Sequence, residues 1–254
     1  MEYVVGLLVI ILTLCLMFFL IFDDAKLIFW YLTSKKTFKY HMIRRYQKGD
    51  TVITYLGTMH HMHYTFEDYN FLHLKAVLDN DKPDLLLIES RPEELKLGNL
   101  ADGPIEMFYL HIHALKLGIP VKGIDYFNEA TNKPGTTNKV RDKHMLSLID
   151  ASIKNHQQVL VAIGATHMLI HEKHLKKMGY TKVKVTKQEM DELYKHTDKE
   201  VVFPKEVIDY TKVRIEREKS FDYKDPKWIE AKVRIIKSLE NFLDKIEQGT
   251  IKVE

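Results

Sequence analysis

Hydrophobic positions along the chain form one long uncharged run, residues 4–22, followed by short apolar segments at regular spacing. Two strand-like runs, 38–46 and 51–57, flank Gln47-Lys-Gly-Asp50 and predict a β-hairpin. Beyond it, strands and helices alternate. A helix is expected from about Thr65 to 80, with Asp68 in a capping position, then a continuous apolar strand at 84–89. Next come a helix at 104–117 stopped by Gly118, a strand at 120–125 and a helix at 138–155. A strand at 158–164, a helix at 168–178 with Gly179 behind it, and a strand at 182–186 complete the series. Such alternation implies crossover units, hence an α/β fold with a mixed, mainly parallel sheet and helices on both faces. The hairpin adds one antiparallel strand.

Two further helical stretches, 204–219 and 226–247, form a tail. In the second, Ile229, Ile236, Leu239, Leu243 and Ile246 fall near heptad positions, with Lys232 breaking one place. Two heptads do not make a coiled coil. The stripe is expected to pack onto the domain, with a homodimer as the second choice. The chain thus divides into an anchor and juxtamembrane segment (1–34), an α/β domain (35–200) and a helical extension (201–254).

The uncharged run is long enough, at roughly 28 Å as a helix, to cross a bilayer once. It has no basic residues before it and no small-x-small site after it, which favours a membrane span over a cleaved signal peptide. Lys26, Lys35, Lys36, Lys39, Arg44 and Arg45 follow it, a bias that puts the soluble domain on the cytoplasmic side. The segment 27–32, rich in apolar and aromatic residues, either extends that helix or lies in the membrane interface. A net charge of +3, evenly spread, gives no reason to expect a nucleic-acid partner. The single cysteine, Cys15, excludes an intramolecular disulfide. Of thirteen histidines, His171, His174 and His196 read as surface residues.

The chemistry concentrates in a phrase that the sequence writes twice. Gly57-Thr-Met-His60 and Gly164-Ala-Thr-His167 each follow a strand-like run. In an open parallel sheet, ligands bind outside the carboxyl ends of the strands. His60, Glu89 with Arg91, Asp125 and His167 all fall at such ends. His60, Glu89 and His167 make a plausible ligand set for a divalent metal with a position left for water, the nucleophile. Arg91 would pair with Glu89 or stabilise developing negative charge. Each residue also has a plainer role: Glu89–Arg91 as an ion pair, Asp125 as a loop cap, His60 as a structural histidine. His63 is a reserve ligand, while His111 and His113, two apart on a helix, face different ways. No phosphate-binding glycine loop, dinucleotide fingerprint or Gly-x-Ser-x-Gly elbow is present.

Gly57-Thr-Met-His60, Ile88-Glu89-Ser-Arg91, Gly123-Ile-Asp125, Arg141-Asp142 with Met145, and Gly164-Ala-Thr-His167 together resemble the TraB/PrgY/GumN family, which includes the TIKI proteases. The resemblance covers roughly 40–186. It implies metal-site positions at His60, Glu89 and His167, an active-site arginine at Arg91, and a cleft-facing arginine at Arg141. It also implies a divalent cofactor (Mn, Co, Zn or Fe) and a peptide or protein substrate. Here the apolar span precedes the domain, whereas the usual family form carries spans after it or none. The expected function is a membrane-anchored, metal-dependent hydrolase, peptidase chemistry being what the resemblance adds. The rival is a non-catalytic tethered module that sequesters a peptide pheromone, metal or haem; a scaffold with purely structural histidines is third.

Overall fold

A strand buried along nearly its whole length must be covered on both faces, and two such strands lie inside the sheet of this molecule. The structure, a computed structural model, describes residues 23–33, 35–64, 66–96, 103–126, 139–195 and 202–253. It begins with helix α1 (Asp23–Thr33), a 3₁₀ turn and the single helical turn α2 (Phe38–His41). Strands β1 (Ile43–Lys48) and β2 (Thr51–Thr58) follow, then α3 (Phe71–Asp81), β3 (Leu85–Ile88) and the short α4 (Pro92–Lys96). Next are α5 (Ile105–Lys116), β4 (Val121–Gly123), α6 (Lys139–Ile153), β5 (Gln158–Gly164) and α7 (Ala165–Lys177). The chain continues through β6 (Thr181–Val183), α8 (Lys187–Leu193), β7 (Val202–Phe203), α9 (Lys205–Ser220), α10 (Pro226–Glu247) and β8 (Lys252–Val253).

The main sheet has the order β4-β3-β5-β2-β1-β6. Strands β4, β3, β5 and β2 are parallel, and β1 alone runs against its neighbours β2 and β6. β3 is buried throughout, as is β5 from Val159 onward, so the central strands are apolar on both sides. Adjacent residues of β1 show the two helical layers, because side chains alternate across a strand. Arg44 reaches toward Glu172 of α7, whereas Arg45 pairs with Asp81 of α3. The expected α/β fold with a mixed, mainly parallel sheet is therefore present. The expected membrane span at 4–22 lies outside the described residues; among those described, no helix is long and apolar enough to cross a membrane.

Several elements differ from the sequence reading for local reasons. The hairpin is shorter at its start: 38–41 coils into α2, burying Phe38, and β1 pairs with β2 from Ile43↔Leu56 to Lys48↔Thr51. α3 starts at Phe71 rather than near Thr65, because Asn70 caps it. The Asn70 side chain accepts from Leu72 N, and the His73 ring closes a capping box. α7 begins directly at Ala165, three residues earlier than expected, so His167 lies in a helical first turn instead of a loop. β2 does not break at Gly57; a Cβ there would come within 3.3 Å of Ala165 Cα, so the glycine lets α7 approach the strand closely.

The tail packs onto the domain, as expected of its apolar stripe. Tyr210 of α9 stacks on Phe108 of α5 at 3.9 Å. Leu239 and Phe242 of α10 are buried, and Phe242 meets Phe203, which in turn contacts Phe71 and Tyr109. Ile229, read as part of the same stripe, remains exposed.

Candidate functional site

The four parallel strands finish at one rim. Thr58 of β2 lies beside Gly164 of β5, and Ile88 of β3 lies beside Ala162 and Gly123. One to three residues beyond each end come His60, Glu89, Asp125 and His167.

Glu89 is the centre of the cluster. It is buried, and its carboxylate accepts hydrogen bonds from Gly164 N (2.6 Å, on Oε2) and Arg141 Nη2 (2.6 Å, on Oε1). Arg141, projecting from the first turn of α6, also donates through Nε to Asp125 Oδ1 (2.7 Å), and its Nη1 is 3.1 Å from His167 Nε2. An arginine can only donate, so His167 Nε2 is the acceptor and its proton sits on Nδ1, 2.6 Å from Asp142 Oδ1. His60 repeats the arrangement on the other side. Its Nδ1 is 2.8 Å from Glu106 Oε1 in the first turn of α5, while its Nε2 lies 3.4 Å from where a Gly164 Cβ would stand. Two imidazoles are thus each oriented by a carboxylate at Nδ1, and His167 Nε2 lies 3.6 Å from Glu89 Oε1. Carboxylate–histidine pairs of this kind fix the tautomer and orientation of metal-ligating histidines.

His60 also carries backbone strain, with φ of +50° in a residue that has a side chain. Strained backbone of this sort persists where the surrounding structure enforces it, commonly at functional sites. Gly164 contributes through size: a methyl there would stand 3.3 Å from Glu89 Oε2. Gly164→Ala should therefore lower activity about tenfold by displacing Glu89 and His60 a few tenths of an ångström, with a thermal stability loss of about 1 kcal/mol.

Charges in the cluster are strongly biased. Burial would raise the Glu89 pKa, yet Arg141, His167, His60 and the Gly164 N–H outweigh it and hold the carboxyl down at about 2. Burial likewise opposes ionisation of Asp142, but the His167 hydrogen bond and the nearby His171 ring bring it down to about 2. Burial disfavours a charged His60, although its ring is half exposed on the outer side; the Glu106 hydrogen bond and the charges of Glu106 and Glu89 prevail and raise it to about 9. Burial pushes His171 down, overcoming its contact with Asp142.

Among the described residues, the group whose ligand atoms lie close enough together to hold a metal ion is Asp142, His167 and His171, all buried. His171 Nε2 is 3.5 Å from Asp142 Oδ1, and it has no hydrogen-bond partner. This group uses the Nδ1 face of His167; the expected His60–Glu89–His167 set uses the opposite face, where the Arg141 guanidinium now stands. His171 was expected at the surface and is instead fully buried, one helical turn beyond His167 on the same side of α7. Arg91 lies just past Glu89, but its guanidinium donates to Glu94 at 2.8 Å, and Glu94 is also gripped by Arg217 of α9. The guanidinium bonded to Glu89 is Arg141's. His63, the reserve ligand, has both ring nitrogens engaged, with Met59 N and Tyr69 O, and is structural. Glu106 was not anticipated at all.

No family model, curated protein or solved structure matches this chain. The assignment of function therefore rests on the residues.

Proposed function

We propose that the rim is the centre of a divalent-metal-dependent hydrolase, carried on a chain anchored in a membrane by residues 4–22. The observation that supports it most is charge. Four buried carboxylates, Glu89, Glu106, Asp125 and Asp142, gather in the cluster, two of them bonded to the one arginine, Arg141, and the neighbouring His60 is driven toward its protonated form. A cluster so rich in buried negative charge suits a cation, and binding one would release the His60 proton.

Two donor sets are candidates for such an ion. On the cleft side, His60 Nε2, Glu89 and His167 Nε2 would hold it once Arg141 moves aside. On the closed side, Asp142, His167 Nδ1 and His171 would hold it as the side chains stand. When bound, the metal supplies an acidified water or a polarised carbonyl. Glu106 and Asp142 fix the two imidazoles, Glu89 supplies the fixed negative charge, and Arg141, bridging Glu89 and Asp125, is the group placed to stabilise developing charge on a substrate oxygen. Mn, Co, Zn or Fe are compatible with this nitrogen and oxygen donor set. The resemblance to the TraB/PrgY/GumN family supports a peptide substrate, and the basic residues after the apolar run support a cytoplasmic domain.

Metal content of the full-length chain, measured by mass spectrometry after reconstitution with each ion, tests the proposal. Near-stoichiometric metal lost in His60→Ala and His167→Ala but kept in His171→Ala places the ion on the cleft side. Loss in His167→Ala and His171→Ala, with retention in His60→Ala, places it on the closed side. If no ion binds the wild type, the metallohydrolase reading fails.

A further inference from the structure

The edge of the sheet farthest from β4 carries a second feature that the rim chemistry does not use. Where β1 and β6 diverge, a cavity of about 550 Å³ opens beside Ile43 and Val185. Arg44, Arg45, Lys182, Lys184, Lys187 and His41 line it, and no aspartate or glutamate does. Three of these cations have carboxylate partners: Lys182 and Arg44 approach Glu172, and Arg45 bonds Asp81 and approaches Glu189. Lys184 and Lys187 are exposed and have no ion-pair partner among the described residues. A cavity of this size and charge suits a small anion-bearing group.

Helix α1 adjoins the cavity. Its inner side is fastened to the domain: Ala25 and Leu27 are buried, and Tyr31 meets Phe38 and Phe66. Trp30 stacks on His41 at 4.5 Å and lies under the Arg44 guanidinium at 5.4 Å, so it backs two of the residues that line the cavity. The outer side leaves Ile28, Phe29 and Leu32 at 57, 47 and 68 % exposure. Three large apolar side chains at i, i+1 and i+4 form one stripe, with lysines 35 and 36 and the basic cavity next to it. In sequence, α1 follows directly on the uncharged residues 4–22.

We propose that this edge docks on an anionic phospholipid bilayer, with a phosphorylated headgroup in the basic cavity and Ile28, Phe29 and Leu32 in the acyl boundary. An apolar stripe flanked by lysine and arginine is the arrangement that binds such an interface, the apolar side chains entering it and the cations meeting the headgroups. Lysines near an anionic surface each strengthen binding roughly fivefold. The β1–β6 edge starts level with Leu56, close to the end of β2, so docking would also hold the rim beside the bilayer. The proposal does not depend on the metal chemistry of that rim.

Hydrogen–deuterium exchange of the full-length chain in lipid nanodiscs tests it. We expect exchange at 28–33 and 181–187 to be at least fivefold slower in discs containing 30 mol% phosphatidylglycerol than in pure phosphatidylcholine discs. Lys184→Glu/Lys187→Glu, at two exposed positions, should return both segments to their rates in neutral discs, and Phe29→Ser/Leu32→Ser should do so at 28–33. Equal exchange in the two lipids, or failure of the chain to enter either disc, overturns the proposal. Protection of 181–187 by free glycerol phosphate in neutral discs, without added protection from anionic lipid, overturns it in favour of a soluble phosphate ester.

Discussion

Glu89→Gln is expected to abolish hydrolysis and to cost about 3 kcal/mol of stability, the size typical of breaking a buried, hydrogen-bonded ion pair. The carboxylate accepts on both oxygens, from Arg141 Nη2 and from Gly164 N. Glutamine offers one oxygen and one NH₂, so whichever way the amide turns, a donor faces a donor. The change also removes the negative charge that balances Arg141 and His60. Urea unfolding would read the stability effect, and cleavage of a peptide library the chemical one. Cleavage at the wild-type rate would remove Glu89 from the chemistry. Retained peptide binding, with no cleavage by either protein, would favour the sequestering module instead.

The rim was legible in the sequence because it depends on strand ends, and strand ends are marked locally. The apolar runs before Glu89 and Gly164 leave little choice of element, and a parallel sheet brings their carboxyl ends to one side. His60, Glu89, Asp125 and His167 were found that way, and Arg141 through the family resemblance. The orienting roles of Glu106 and Asp142 were not legible, because they depend on contacts between elements that no local pattern encodes. Glu106 is an ordinary acidic residue in a helical first turn, and only packing of α5 against the turn after β2 brings it to His60. His171 had a signal that was misread. It stands four residues after His167, a spacing that shares a helix face, but the helix was expected to begin at Met168, outside His167. Moving that boundary to Ala165 turns two unrelated histidines into a pair around Asp142. The swap of arginines has a similar origin. Arg91 is two residues from Glu89, close in an extended chain, but the backbone turns at Ser90, where Ser90 N bonds Ile88 O, and Arg91 enters the segment leading to α4.

Gly123→Ala should be the most disruptive single methyl added to the protein, costing about 2–4 kcal/mol and most of the activity. A Cβ at position 123 would stand 2.4 Å from the Ser90 carbonyl oxygen and 3.0 Å from the Arg91 carbonyl carbon and oxygen. These are backbone atoms, so no side chain can swing away to relieve the contact. The crossing is fixed from both sides, since Ile124 N bonds Ile88 O at 3.0 Å and Asp125 N bonds Ser90 O at 2.9 Å. Relief requires β4 to part from the end of β3, which carries Glu89 on one strand and Asp125 on the other. Arg141 bridges these two carboxylates, so its hydrogen bonds would lengthen together. Gly118→Ala provides the control. Gly118 has φ of +70° but open space around it, so alanine there should cost only about 1 kcal/mol and leave activity intact. Thermal unfolding and hydrolysis of both variants separate backbone crowding at the rim from general loss of a glycine. Equal effects from the two would mean that the crossing between β3 and β4 does not hold the site in place.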